Sequence, residues 1–467
     1  MLTISIDRLR LCAVALVLAF PFAGCAGYST PKSLPAGVMD TPSQTIDLIR
    51  SAAPQANPSA KIQHVVIIIQ ENRSPDNLFQ GLPNADTRSF GYTSTGRKVS
   101  LHPVPLEASY DIQHDLQSFL LSCNGTGSLL GTNCRNNGFD KETVQCQSTC
   151  PGPDAEYGYV PRNEAQPYFD MASQYVFGDR MFTSHLDSSS FTSHQYYIRA
   201  NSSSTVDYPS VWGSWGCYDN PNDTVPTINQ QRETGQAIKP CFKATTLGDE
   251  LDAAKRSWGY YSAAVGDEAG YLWNAYQAIH QIRFGKDWKN DIFSPSTQFI
   301  TDVNSGTMRD VSWVTPSWTN SDHAGSDSNT GPSWVTSVVN AVGESQYWSS
   351  TAIFIVWDEN GAWYDHVRPK MVDYDGLGMR VPLLVISPYA KQGYVSHRQY
   401  ESASILKFVE DQFGLPRIAA ADTRANSPEA DAFDFKQQPR AFVPIQASYS
   451  KQQILAQPVD HHVPDSE

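Results

Sequence analysis

Apolar residues in this chain gather into short unbroken runs that end in acids. From Ala352 to Val356 the run Ala-Ile-Phe-Ile-Val shows no alternation, the pattern of a strand covered on both faces. Trp357-Asp358-Glu359-Asn360-Gly361 then breaks it, because Asn-Gly is a turn signal, and two carboxylates are left at the strand's carboxyl edge. In open α/β sheets ligands bind outside that edge. His64 to Ile69 has the same form and runs into Gln70-Glu71-Asn72. We read the two strand ends as halves of one site, with room for several βα units between them.

The remaining pattern fills in around these strands. Tyr110 to Leu116 reads as a helix start, Phe169 to Phe177 as an ordered stretch, and Phe177 to Tyr197 as a stretch that begins with a strand and turns at Ser188-Ser189-Ser190 into a helix. A helix follows from Thr246 to Lys255, then strands at Trp258 to Ser262 and Val311 to Val314. Trp334 to Gly343 is a helix that feeds the strand at Ala352, the αβ order of a mainly parallel sheet. Val381 to Pro388 is a further strand, and Ser404 to Phe413 a helix closed by Gly414. Asn124 to Pro153 and Asn201 to Lys239, rich in Asn, Ser, Gly and Pro, read as surface insertions, the second overhanging the site. The end from Ser448 reads as loosely ordered.

Composition narrows the class. With 467 residues, 40% apolar, the chain supports one large domain with a sizeable core, and 30 Gly and 30 Pro imply long loops. A net charge of −14 disfavours nonspecific nucleic-acid binding, so no nucleic-acid partner is expected. Arg8 and Arg10 precede the apolar run Leu11 to Phe20, too short for an ordinary span, and Phe22-Ala23-Gly24-Cys25 supplies small residues for processing. This resembles a bacterial lipoprotein signal, which implies a lipid anchor on Cys25 and a periplasmic, outer-membrane or secreted location. We therefore divide the chain into a signal over 1–25, a tether over 26–60, a globular domain over 61–447 and a tail over 448–467. The other cysteines are Cys123, Cys134, Cys146, Cys150, Cys217 and Cys241. An even set in an exported chain reads as disulfides, and local pairing 123–134, 146–150 and 217–241 brackets the insertions; their spacings lack zinc knuckles.

The serine cluster is the candidate for nucleophilic chemistry. A serine at a helix start lies beside free backbone N–H groups that hold phosphate oxygens, and a metal lowers its hydroxyl pKa; it is equally a favoured N-cap. Asp322 to Thr330 also has the Asp/Asn spacing of a calcium loop, without its closing Glu.

Gln70-Glu71-Asn72-Arg73-Ser74, Asp111-x-x-His114, the Ser190 segment, Asp322-His323, Asp358-Glu359-Asn360-Gly361-x-x-Tyr364-Asp365-His366 and Arg380-Val381-Pro382 occur in order. Together they resemble the phosphoesterase family that unites bacterial phospholipases C with a group of acid phosphatases. The resemblance implies an alkaline-phosphatase-like α/β sandwich and one divalent metal held by Glu71, Asn72, Ser190, Asp358 and Glu359, whose carboxylates, amide oxygen and alkoxide are hard donors suited to Mg²⁺, Ca²⁺ or Mn²⁺. It further implies phosphate-facing His114 and His323, and Asp365 and His366 as supports behind the acid pair. Pro75, Ala362 and Ser193 depart from the family's usual residues without removing a ligand. The acid-phosphatase branch carries adjacent histidines between the nucleophile segment and Asp322-His323, where this chain has His280 alone. The phospholipase C branch carries a threonine nucleophile, a twin-Arg signal and an extra C-terminal region. Ser190 in place of that threonine points to a phosphomonoesterase acting through a phosphoserine. A phospholipase C-type diesterase and a noncatalytic surface binding protein are the alternatives.

Overall fold

β1, His64–Gln70, is buried from Val65 onward because it lies between two parallel neighbours, β5 (Val311–Val314) and β6 (Thr351–Trp357). With backbone partners on both sides and helices on both faces, only apolar side chains fit along it, which is why the run is unbroken. The remaining strands of this central sheet are β2 (Val176–Phe182), β3 (Trp258–Tyr261), β4 (Ile292–Phe293), β7 (Arg380–Ile386), β8 (Tyr394–Ser396) and β9 (Tyr400–Glu401). The sheet order is β4-β3-β5-β1-β6-β7-β2-β8, with β9 also on β2. This computed structural model describes residues 61–460 apart from 147–149, 212–214, 218–219 and 264–271. The signal, Cys25 and the tether lie outside the described residues. The described residues belong to one compact unit, Ile46–Glu467.

The mainly parallel α/β sheet is as expected, with one strand reversed. β7 pairs antiparallel with both β6 and β2. A parallel neighbour needs a crossover, and the chain from Asp358 to Met379 contains no helix or strand, so it re-enters the sheet from the edge it left. Arg380 consequently starts β7 on the side where Asp358 ends β6.

Register shows which helices cover which face. Ile67 lies opposite both Trp313 and Phe354, so the three side chains share a face. There Trp313 Nε1 donates to Tyr197 O at 2.9 Å in helix α3 (Ser190–Arg199), and the Phe354 ring lies 5.0 Å from Phe408 in α7 (Ala403–Phe413). Trp357, three residues on, points the other way and meets Tyr168 of α2 (Gln166–Gln174) at 5.1 Å. α6 (Gly331–Gly343) packs with α2 on that face, and α5 (Gln298–Ser305) packs with α6. α1 is Leu116–Cys123 and α4 Leu247–Ala253, the latter with a capping box from Thr246 to Asp249. Gly414 closes α7 at φ 67°.

Two expectations are corrected. Tyr110 to Ile112 is not helical: it pairs antiparallel with Val144–Cys146, and the helix begins at Leu116 where Asp115 accepts from Ser118 N at 2.7 Å. Pairing across the cysteine-bearing insertion outweighs the local helical pattern. The end from Ser448 is not loose up to Asp460, because it forms α8 (Lys451–Leu455) and buries Ile454. The three disulfides are Cys123–Cys134, Cys146–Cys150 and Cys217–Cys241, the local pairs expected.

Candidate active site

Because Gln70 and Trp357 are register partners, the next residues, Glu71 and Asp358, emerge side by side at the sheet edge. Asp358 N donates to Gln70 O at 2.9 Å, and Asn72 N donates to Asp358 Oδ1 at 3.1 Å. Asn72 takes φ 61°, a left-handed conformation asparagine tolerates, which turns the chain off the strand. Gly361, at φ 59°, donates its N–H to Glu359 Oε2 at 2.6 Å. A Cβ there would meet Asn72 O at 2.6 Å, so only glycine lets the two turns approach.

The serine cluster approaches from β2. Ser189 is at the N-cap position of α3 but makes no side-chain cap; its hydroxyl donates to Asp187 Oδ2 at 2.6 Å. Ser188 Oγ donates to Asn360 Oδ1 at 3.2 Å, and Ser190 Oγ lies 3.4 Å from Glu71 Oε2. Of the three, Ser190 is the one whose hydroxyl meets the carboxylate that follows β1. One turn along α3, His194 Nε2 lies 3.0 Å from Glu71 Oε1 and 3.8 Å from Asp358 Oδ2. One ligand atom from each of Glu71, His194 and Asp358 falls within 4.8 Å of the others.

His114 joins from the other side. Its Nδ1 lies 2.7 Å from Ile112 O and its Nε2 2.7 Å from Asn72 Nδ2, while Glu359 Oε1 is 3.9 Å from Nε2. A carbonyl can only accept, so Nδ1 carries the proton of the neutral ring and Nε2 accepts from the amide. His323 faces His114 at 5.1 Å between ring centroids, and its ring packs on Trp318 at 4.7 Å and Trp273 at 6.3 Å. Glu71, Asn72, His114, Ser190, Asp358 and Glu359 are all 0% exposed.

Buried polar atoms are nearly always paired, and leaving one unmet costs about 1–3 kcal/mol. Asn72 Oδ1 and Asp358 Oδ2 have no hydrogen-bond partner. Two such oxygens beside Glu71 and Ser190 fit a hard cation.

Residues 62–416 match the Phosphoesterase family. The chain belongs to that family. It is 25% identical over 412 residues to the non-hemolytic phospholipase C of Burkholderia pseudomallei, covering 75% of this chain and 55% of that protein. The chain thus spans about half the length of that relative. It is 24% identical over 422 residues to phospholipase C B of Mycobacterium tuberculosis, covering 79% of this chain and 77% of the relative. Non-specific phospholipase C1 of Arabidopsis thaliana matches at 24% over 419 residues, covering 80% and 70%. Among solved structures, an alkaline phosphatase superfamily protein from Vibrio parahaemolyticus aligns at 10% identity over 84% of this chain and 81% of that one, with a TM-score of 0.37.

Within this phosphoesterase, Asp365 and His366 are not brought to the acid pair. Asp365 forms a two-point ion pair with Arg380, Nε to Oδ1 and a terminal nitrogen to Oδ2, both at 2.8 Å. His366 lies between Asp76 at 2.7 Å and Asp86 at 2.9 Å. Burial opposes the charge on His366, and Asp76 outweighs it, holding the imidazole above its ordinary value. These groups brace β7 against the turn after β1. Asp322, the first residue of the calcium-loop pattern, is fully buried, and its Oδ2 accepts from Tyr168 OH at 2.7 Å and Trp357 Nε1 at 3.1 Å. Burial pushes the Asp322 carboxyl up to about 6, with Tyr168 and Arg73 opposing. His280 packs on Phe284 at 5.1 Å on a short helix, His280–Arg283. Sequence reasoning missed His194; the signal available was its i+4 spacing from Ser190, which puts both on one helix face.

Proposed function

We propose that this phosphoesterase hydrolyses phosphoric esters through Ser190, beside one divalent metal held by Glu71, Asn72, Ser190, Asp358 and Glu359, with His194 as a further donor. The observation that carries this is the Ser190 hydroxyl 3.4 Å from Glu71 at the start of a helix, together with Asn72 Oδ1 and Asp358 Oδ2 at the two strand ends, buried oxygens with no hydrogen-bond partner. The oxygen-rich set favours Mg²⁺, Ca²⁺ or Mn²⁺, and the imidazole favours Mn²⁺ among these. When bound, the metal lowers the serine hydroxyl's pKa and offsets charge on the phosphoryl oxygens.

The protein's groups do the rest. Ser190 Oγ forms the bond to phosphorus while the ester oxygen leaves with a proton, and water then cleaves the phosphoserine to phosphate and free Ser190. Backbone N–H groups in the first turn of α3 hold phosphoryl oxygens. His114 keeps the Asn72 amide turned so that Oδ1 faces the metal position, since Nε2 takes the hydrogen of Nδ2. That leaves His323 to protonate the departing oxygen.

For substrate, Ser190 in place of the threonine of the phospholipase C branch favours monoesters. The names of the relatives above favour phospholipid diesters as the second reading. Purified protein assayed on p-nitrophenyl phosphate, its phosphocholine diester and phosphatidylcholine, with and without chelator, decides between them. Fastest turnover on the monoester, lost to chelator and restored by a divalent ion, is expected. Preference for the choline diester would move the substrate to diesters, and no turnover on any would favour a binding protein.

We further infer export, favoured because three disulfides belong to an oxidising compartment, and a lipid on Cys25, which rests on the apolar run Leu11 to Phe20 ahead of Phe22-Ala23-Gly24-Cys25. Nonreducing peptide mapping is expected to recover the three local pairs, and palmitate label is expected to vanish in Cys25→Ser. Free thiols, or label that persists, would reject the corresponding half.

A further inference from the structure

We infer that the C-terminal segment Ser448–Asp460 is a positioning element for the active site, anchoring from outside the loop that carries Asp322 and His323. This rests on the reading of His323 as proton donor. The loop runs from the end of β5 to the start of α6, and the segment holds both it and the first turn of α6. Tyr449 N donates to Ser333 Oγ at 3.2 Å, and Tyr449 OH donates to Asn329 Oδ1 at 3.1 Å. Farther on, Gln457 Oε1 accepts from Asn320 Nδ2 at 2.8 Å, and Asp460 Oδ2 accepts from Thr319 N at 2.8 Å. Between these anchors α8 is closed by a capping box from Ser450 to Gln453 and buries Ile454. A cavity of about 250 Å³ lies between Ile454–Asp460 and Ser317–Asn320. The coupling therefore runs through the polar anchors more than through apolar packing.

Asn320 is where the outer anchors meet the site. Its Nδ2 reaches the tail, its Oδ1 accepts from Thr330 Oγ1 at 2.9 Å, and its carbonyl accepts from Gln70 Nε2 at 3.0 Å. The other end of the same amide, Gln70 Oε1, accepts from Asp322 N at 3.0 Å. Gln70 immediately precedes Glu71, so one side chain ties the loop to the strand end. Trp318, which packs on His323, rides on the same loop. Freeing Thr319 and Asn320 on their outer side lets the loop shift His323 relative to a phosphoryl group at Ser190. Displacements of that kind cost rate without costing the fold.

The test uses the full chain. Gln457→Met with Asp460→Leu removes both acceptors at similar volume, while Gln457→Glu with Asp460→Asn keeps an acceptor oxygen at each position. A displaced proton donor matters most when the leaving oxygen is basic, so phenyl phosphate is compared with p-nitrophenyl phosphate. The acceptor-less pair is expected to lose on the order of 10-fold in kcat on phenyl phosphate and clearly less on p-nitrophenyl phosphate, with KM within about 2-fold. Metal content is expected to be unchanged, and the acceptor-keeping pair to retain activity. Assays are run well below each variant's measured Tm. Equal loss on both esters, or no difference between the two pairs, would overturn the inference. His323→Ala separates the two claims. A leaving-group-dependent loss there without one in the acceptor-less pair overturns the tail's role alone. No such loss in His323→Ala overturns the reading of His323 and this inference with it.

Discussion

Ser190→Ala is expected to lose about 10³-fold or more in turnover while keeping the metal and binding phosphate. Ser190 contributes one hydroxyl to a cluster whose carboxylates follow the ends of β1 and β6, so deleting it leaves them in place. α3 also survives, since Ser190 is the first residue of the helix and its backbone N–H remains. The neighbouring serines provide the control. Ser188 is bonded to Asn360, and Ser189 to Asp187 and to Asp207 O at 3.0 Å, so neither hydroxyl is free to attack. Their alanine variants are expected to fall far less, through a loosened turn. Acid quenching during turnover followed by peptide mapping is expected to place phosphate on Ser190. Near-normal turnover of Ser190→Ala, or phosphate on another residue, sinks the nucleophile assignment.

The two strand ends were legible because burial on both faces permits only apolar side chains, and an acid after such a run has few purely structural uses. Their adjacency followed from one general rule about sheet edges, and the parallel register of β1 with β6 accounts for it. What stayed hidden depended on chain reversal or on short elements. Asp365 and His366 follow Glu359 closely in sequence, yet Gly361 and Ala362, both at positive φ, turn the chain away and deliver Asp365 to Arg380. Closeness in sequence was no guide to closeness in space there. Tyr110–Ile112 is three residues long, below any usable period, and α8 carries one fully buried apolar residue, Ile454, too little to stand out. His194 had only its i+4 spacing from Ser190 as a marker, a weak one because one histidine in a helix is more often a packed side chain than a ligand.

The metal set yields the second large effect, and its sign reverses with conditions. Glu71 and Asp358 bring two carboxylates within 4.8 Å of one another in a fully buried cluster with His194, and Glu359 follows directly in sequence. Like charges at such separations repel unless a cation lies between them, and burial strengthens that repulsion. Asp358→Asn keeps an acceptor at the Oδ1 position for Asn72 N and removes one negative charge, so it changes electrostatics with little change of shape. In chelator the variant is therefore expected to melt at or above the wild type, because a repulsive charge is gone. With a divalent ion present the order inverts. Ligand binding stabilises the native state by about 2.7 kcal/mol at a metal concentration 100 times Kd, and a variant lacking an anionic donor forgoes most of that gain. Mass-spectrometric metal analysis is expected to find the ion stoichiometric in wild type and largely absent from Asp358→Asn and Glu359→Ala, with turnover lost in parallel. Calorimetry with and without metal supplies the crossing. If both variants keep full metal occupancy, or if wild type and Asp358→Asn gain equally in Tm on adding the ion, these carboxylates do not hold it.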